Sequence, residues 1–487
     1  MSPEEFRKSG HELIDTLADF YASLPQRRVT SGESVAEIQK VLAPEALPSE
    51  GTNASDLLRD IAPVLFDHSL HNGHPRFFGY ITSSASPSGA LADLLAAGIN
   101  QNCGLRDLSP AANEIERQAI GWLAELIGFP TTGSGIMVSG GNVANMLGFF
   151  AARQAGMEYD LRRDGLIGAS GQPRVYASRE THTWIEKAAD ISGIGTDAIR
   201  WIETDSQQRI QLEALESTIQ QDRAAGDIPF MIVGTAGNVS TGAVDPLDEI
   251  AAVAKKHKLW FHVDGAYGAP AACLPEAPTA LQALSLADSV ALDPHKWLYA
   301  PIEAACTLVR DPDALRRTFS YRPEYYRLDD EEGGLDYFEH GLQNTRGFRA
   351  LKVWLGLKET GRRGYEERIR RDVNLARELF DRASANPELE AGTQNLSLTT
   401  FRFRPEDADD TERWNEYLDQ LNELLLANLQ KSGDAYLSNA VLNGRYFLRA
   451  CIVNFRTTEA DIDALIDIVL KLGRKLDTEL REASGAF

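Results

Sequence analysis

The chain has 487 residues, 43% hydrophobic and 25% charged, which is ordinary for a soluble protein and long enough for two or three domains with large cores. A formal net charge of −22 argues against non-specific nucleic-acid binding and against attraction to an acidic membrane surface. No apolar run reaches the roughly 18 residues of a membrane-spanning helix, the start lacks a basic-then-apolar leader, and the four cysteines stand far apart without ligand spacing, so a cytoplasmic protein with reduced thiols and no metal centre is expected.

Ser2-Pro3-Glu4-Glu5 supplies an N-cap, a proline at the first helical position and first-turn acids, opening an amphipathic helix over 2–24. Its apolar stripe is Phe6, Leu13, Ile14, Leu17, Phe20 and Tyr21. Shorter helices are expected at 35–41 and 54–65; such helices need another surface to cover their apolar faces. An extended run, His74 to Tyr80, precedes a helix at 87–99, a polar loop at 100–110 and a helix at 111–128. A short strand at 135–138 then meets Ser139-Gly140-Gly141-Asn142, which opens a helix over 143–154. A glycine turn between strand and helix exposes backbone N–H groups at the positive end of the helix dipole, a ready phosphate site. The turn is no GxGxxG, so no dinucleotide fingerprint is present. Strands at 174–178 and 230–235, a helix at 248–257, and strands at 259–264, 289–292 and 304–309 continue the alternation. That pattern predicts an α/β fold: a mostly parallel central sheet with helices on both faces and ligands at the carboxyl ends of its strands.

Two of those ends carry chemistry. The strand Leu259–Val263 ends in Asp264-Gly265-Ala266, and the strand Ser289–Leu292 runs into Asp293-Pro294-His295-Lys296-Trp297. A lysine at such a place is costly unless it is paired or used, and burial lowers its pKa toward that of a nucleophilic amine. A carboxylate at a neighbouring strand end can hold the protonated ring nitrogen of pyridoxal phosphate (PLP), and the small residues after it let a flat ring lie on the backbone. The stretch 322–343 is acidic, rich in Gly and Tyr and without period, which reads as an active-site lid. From about Gly364 the pattern changes to helices at 368–385, 410–431 and 459–472 around strands at 396–403 and 445–452, a small α+β domain.

His-Val-Asp-x-Ala-Tyr followed by Pro-His-Lys-Trp resembles the group II PLP-dependent amino-acid decarboxylases, with similarity from about Glu5 to about Leu472. The resemblance implies a fold-type I PLP-dependent transferase fold in three parts: a helical dimerisation segment over 1–72, a large PLP-binding domain over 73–363 and a small C-terminal domain over 364–487. It implies a homodimer with shared active sites. By position in the motifs, Lys296 would tether PLP, Asp264 would hold the ring nitrogen, His182 would stack on the ring, and Ala266 would lie beside it. Gly140, Gly141 and Asn142 would hold the phosphate, with Thr235 and His295 as further neighbours. Asp293 replaces the asparagine often found there, and has either to point away from the phosphate or to pair with a cation.

Tyr80, Asn102, Gly104 and Arg106 match positions that line the substrate cavity in the family. Asn72, Asn102 and Arg106 are more polar than the aromatic-acid enzymes use, and the His-Pro-Arg-Phe-Phe string is similar to the glutamate decarboxylase branch. The implied substrate is therefore an L-amino acid, aromatic or else polar or acidic. Tyr337 matches the loop tyrosine that returns a proton to the α-carbon; relatives with phenylalanine there release an aldehyde oxidatively. Amine formation is the expectation. Aldehyde synthesis or other carbonyl chemistry on the same fold, and PLP binding without catalysis, remain the alternatives.

Overall fold

The computed structural model describes residues 1–322 and 335–484, and the chain divides into two units. The larger comprises Ala85–Asn374 with Gln394–Leu398; the smaller comprises Met1–Ser84, Leu375–Thr393 and the residues from Thr399 onward.

Seven strands form the sheet of the larger unit: β1 (Ser134–Val138), β2 (Pro173–Ser178), β3 (Ile199–Ile202), β4 (Ile228–Thr235), β5 (Trp260–Asp264), β6 (Ser289–Leu292) and β7 (Ala305–Val309). Their order is β1-β7-β6-β5-β4-β2-β3. β7 runs antiparallel to β6 and β1, and the other pairings are parallel. The inner strands β5, β6 and β7 are almost wholly buried, as strands covered on both faces must be. On one face the helix Gly141–Gly156 contributes Met146, Phe149 and Phe150 to a core shared with Val175, Trp184, Phe230 and Met231. Register decides function here. Thr235 pairs with Asp264, and Asp264 with Ala291, so three strand ends lie level and the residues just beyond them share one edge.

In the smaller unit β8 (Leu389–Asn395), β9 (Leu398–Phe403), β10 (Ser438–Leu442) and β11 (Arg445–Cys451) form an antiparallel-edged sheet ordered β10-β11-β9-β8. Asn443 and Gly444 both have positive φ, 51° and 80°, the two-residue turn that suits a twisted hairpin. Phe401, Phe403, Leu425, Leu448, Ile462 and Val469 make its core, under the helices Glu412–Ser432 and Glu459–Ser484.

The expected alternation holds, with additions. β3 is a half-buried edge strand of four residues, too short to show a period. The helix Leu212–Ala224 buries only Leu215, Ile219 and Asp222, so its apolar stripe is faint in sequence. The last helix runs to Ser484, well beyond 472. The helix expected at 368–385 is the later part of a longer one, Ala350–Ala385, interrupted at Gly361, whose φ of 65° and ψ of 168° are not helical. No described helix is long and apolar enough to cross a membrane.

Candidate active site

β1 stops at Val138, and Gly140, at φ 141°, turns the chain into the helix Gly141–Gly156. No side chain caps that helix, so its first amides keep their donors for a ligand. Gly141 lies against Asp293: a Cβ there would stand 2.6 Å from Oδ2, closer than any ordinary contact. A buried chain of hydrogen bonds fixes the turn to the sheet. Asn145 Nδ2 donates to the Gly141 carbonyl at 2.9 Å, leaving its Oδ1 to accept from His262 Nε2 at 2.8 Å. Trp260 donates to the Ser289 hydroxyl at 2.8 Å, and that hydroxyl donates to His262 Nδ1 at 2.7 Å. Burial pushes the His262 pKa down to about 4, so the imidazole is neutral near pH 7 and these bond directions follow. Neither Asn145 nor His262 was legible as a functional residue, because each acts through a partner distant in sequence.

Asp264, buried at the end of β5, has both oxygens engaged. Oδ2 accepts from the Trp184 indole N–H at 2.8 Å and Oδ1 from the Ala266 amide at 3.2 Å. The Ala266 carbonyl in turn accepts from the Asp293 amide at 3.2 Å, joining the ends of β5 and β6. Thr235 sits in the same row; its amide donates to Asp245 Oδ2 at 2.8 Å, while its buried hydroxyl has no partner among the described residues.

Lys296 comes three residues after Asp293. Its amide donates to the Asp293 carbonyl at 2.8 Å and its Nζ stands 3.1 Å from Asp293 Oδ2. His295 Nε2 is 3.7 Å from the same oxygen, and its Nδ1 donates to the Ala304 carbonyl at 2.6 Å. Of the two arrangements open to Asp293, the structure shows pairing with a cation; its Oδ1 has no partner among the described residues. His182 lies in the turn before the helix Trp184–Ile191. The protein around its imidazole lowers its pKa, Asp264 opposes this, and the nearby Lys296 charge lowers it further. His182 thus stands within reach of the fields of both the carboxylate and the amine, and is neutral near pH 7.

Other expected residues are placed differently. Asn102 Oδ1 accepts from the Gly104 and Arg346 amides, each at 3.0 Å, so its side chain holds a loop. The Gly104 carbonyl accepts from the Phe338 amide and the Arg106 amide donates to Asp336 Oδ1 at 2.9 Å, joining this loop to the chain beyond 323–334. Arg322 and Glu339, on either side of residues 323–334, form a two-pronged pair at 2.8 and 2.9 Å. Tyr337 is 1% exposed in the turn Tyr337–His340, with the Arg346 guanidinium 5.0 Å from its ring centre. It borders a cavity of about 190 Å³ walled by Ile120, Ala124, Gly135 and Leu308, and its hydroxyl has no partner among the described residues. No described contact joins it to Lys296, Asp264 or His182. Most of the expected lid falls at 323–334, outside the described residues. Tyr80, in the smaller unit, is 56% exposed at φ 52°; its amide donates to the Ser438 hydroxyl at 2.7 Å.

This donor set fits PLP on its own chemistry. An uncapped helix start suits a phosphate, a carboxylate fixed through both oxygens suits a protonated pyridine nitrogen, and an amine beside it suits an aldehyde. The partnerless Thr235 hydroxyl supplies one more polar group at the same edge.

Comparison with known proteins points the same way. Residues 37–404 match the family model of the pyridoxal-dependent decarboxylase conserved domain. The chain is 33% identical over 476 residues to the aromatic-L-amino-acid decarboxylase of Bacillus atrophaeus, covering 97% of this chain and 95% of that one. It is 31% identical over 486 residues to the phenylacetaldehyde synthase of Petunia hybrida, covering 96% and 94%. Among solved structures, Oryza sativa TDC with PLP and tryptamine superposes with a TM-score of 0.91 at 28% identity, covering 98% of this chain and 99% of that one.

Proposed function

The chain belongs to the pyridoxal-dependent decarboxylase family, and we propose that it converts an aromatic L-amino acid to its amine and CO2. The observation that carries this reading is the level row of strand ends, where Asp264, fixed through both oxygens, and Lys296, paired to Asp293, both act on His182.

Bound PLP supplies an aldehyde that condenses with amines and a ring that takes up the electron pair left when CO2 departs. The residues of this chain do the rest. The 140–142 turn holds the phosphate by its amides. Asp264 keeps a proton on the ring nitrogen, and His182 presents a neutral, flat face. Lys296 would give the cofactor its covalent anchor. A tyrosine returns the proton to the α-carbon. Tyr337 matched that role in sequence, but its hydroxyl is sealed beneath β1. Tyr325 and Tyr326 are the other candidates in the same segment and lie outside the described residues.

Support for an aromatic substrate comes from the named activity of the bacterial relative, while Asn72 and Arg106 keep a polar substrate as the competing choice. The petunia relative favours a second reading, in which dioxygen and water convert the amino acid to an aldehyde, CO2, ammonia and hydrogen peroxide. A panel of amino acids, scored for CO2, amine, aldehyde and peroxide, tests both. Amine and CO2 from an aromatic acid, in equal amounts and without peroxide, are expected. Peroxide matching CO2 would replace the first reading by the second. In the same assay Phe at 325 or 326 should divert product from amine to aldehyde, and Phe at 337 should leave the ratio unchanged.

Trp184→Phe tests the grip on Asp264. It removes one charge-assisted bond from a buried carboxylate, worth about 1.5–3 kcal/mol, so PLP affinity should fall roughly tenfold or more. Wild-type affinity in a folded variant would remove Trp184 from this role.

Each unit exposes large apolar side chains: Phe6, Leu57 and Leu65 in the smaller, Leu91, Leu94, Leu95 and Ile99 in the larger. Contiguous apolar faces of this kind are what subunit interfaces cover. They support a homodimer.

A further inference from the structure

Lys296 sits on a turn that the strand ends do not hold alone. The next three residues are each bonded to the helical segment after Gly361. The Trp297 indole N–H donates to Asp372 Oδ2 at 2.9 Å, and the Tyr299 hydroxyl donates to the same oxygen at 2.6 Å. Between them the Leu298 carbonyl accepts from the Tyr365 hydroxyl at 3.2 Å. Tyr365 and Asp372 are about two helical turns apart, so they share one helix face. From the other side Tyr267 stacks on Trp297, ring centres 5.0 Å apart and 18° from parallel, and its own hydroxyl is 2.7 Å from that of Ser397. Tyr299 keeps a left-handed backbone, φ 57°, which a bulky residue holds only where its surroundings enforce it. Trp297, Tyr299 and Asp372 are all buried.

A buried carboxylate is costly, and Asp372 takes no part in the chemistry described above. Resting on the reading that Lys296 anchors PLP, we propose that Asp372 is a positioning residue for that lysine: it clamps the two aromatic side chains that come after Lys296 and so fixes where the amine points. The groups around it are Tyr299 and Trp297 from the lysine turn, and Arg371 and Arg368 from its own helix. Burial lifts the Asp372 pKa to about 7, against the pull of the Tyr299 and Trp297 bonds and of the two arginines. Asp372 Oδ1 has no partner among the described residues, so a proton there leaves Oδ2 to accept both bonds. Below pH 7 the clamp is a neutral acid; above it the bonds become charge-assisted and tighten. Stability runs the other way. The folded pKa lies above the ordinary 3.8, so this group's contribution falls as pH rises from about 4 to about 7.

The test uses the full chain loaded with PLP and reads the rate of cofactor release across pH. Asp372→Ala should release PLP roughly tenfold faster or more, and Tyr299→Phe, which deletes one oxygen, several-fold faster. Asp372→Asn should match the wild type near pH 6 but fail to slow its release as pH is raised to about 8. Wild-type release from folded Asp372→Ala and Tyr299→Phe at every pH would overturn the proposal. Should Asp372→Ala not fold, Tyr299→Phe decides. Borohydride trapping on Lys296→Ala separates the premise: covalent label retained there defeats the lysine reading itself, whatever the Asp372 variants do.

Discussion

Lys296→Ala is expected to lower turnover by at least ~10³-fold and to abolish covalent retention of PLP. The amine is held 3.1 Å from Asp293 on a turn bonded from both sides, and no other amine among the described residues pairs with Asp293. Lys352 acts on His295 through its charge and is nearly as buried as the site residues, but its Nζ is engaged by Asp93 at 3.1 Å. The substitution also leaves the Asp293 carboxylate buried without its cation, which should cost about 1–3 kcal/mol of stability. Lys296→Arg divides these effects. Its guanidinium keeps a charge beside Asp293 but cannot form the covalent anchor, so the melting temperature should stay near the wild type while turnover is lost. CO2 release and the mass of the borohydride-reduced protein report the chemistry. Wild-type turnover by Lys296→Ala would end the assignment.

The placement of the strand-end candidates was legible because it is local. Asp264-Gly265-Ala266 and Pro294-His295-Lys296 each place a functional group within a few residues of an apolar run, and the alternation of elements fixes which edge of the sheet they share. The parallel pairing of β2 through β6 came from the same alternation. The residues that hold these groups in place were not legible. Trp184 reads as a core aromatic and Asp372 as one acid among many on an exposed-looking helix. Their meaning depends on pairing across 80 and 75 residues of sequence, respectively. Asn443-Gly444, by contrast, was a local hairpin signal that the sequence carried openly, and β10 could have been placed from it.

Tyr337 shows how little a motif offset settles by itself. The segment before Arg349 contains tyrosines at 321, 325, 326 and 337, and spacing alone cannot separate a proton donor from a packing residue. Burial can. A phenol with its pKa held well above the ordinary value, first by desolvation and then by the nearby Glu116 charge, is a poor proton donor to a carbon outside its own cavity. The buried Glu116–Arg346 pair that flanks it also takes the Met137 amide and carbonyl, which makes this corner a brace for β1.

Asp264→Asn is expected to cut decarboxylation ~10²–10³-fold while PLP still binds. The asparagine oxygen can go on accepting from Trp184, while its amide nitrogen takes the place of the oxygen that accepts from Ala266, so the charge is lost together with one long backbone bond. Without that charge the ring nitrogen loses its proton near neutral pH, and the ring loses its capacity to take up the electron pair left by CO2. Asp264→Glu, which restores charge at a displaced position, should recover part of the rate. The absorption of bound PLP, tracked through a pH titration, reports the ring nitrogen without reference to turnover. A rate within about threefold of the wild type in Asp264→Asn would show that this carboxylate does not serve the ring. The Trp184 assignment meets a stricter condition in that background. Because Trp184 acts through Asp264, Trp184→Phe should add little to Asp264→Asn, whereas independent roles would make the two losses multiply.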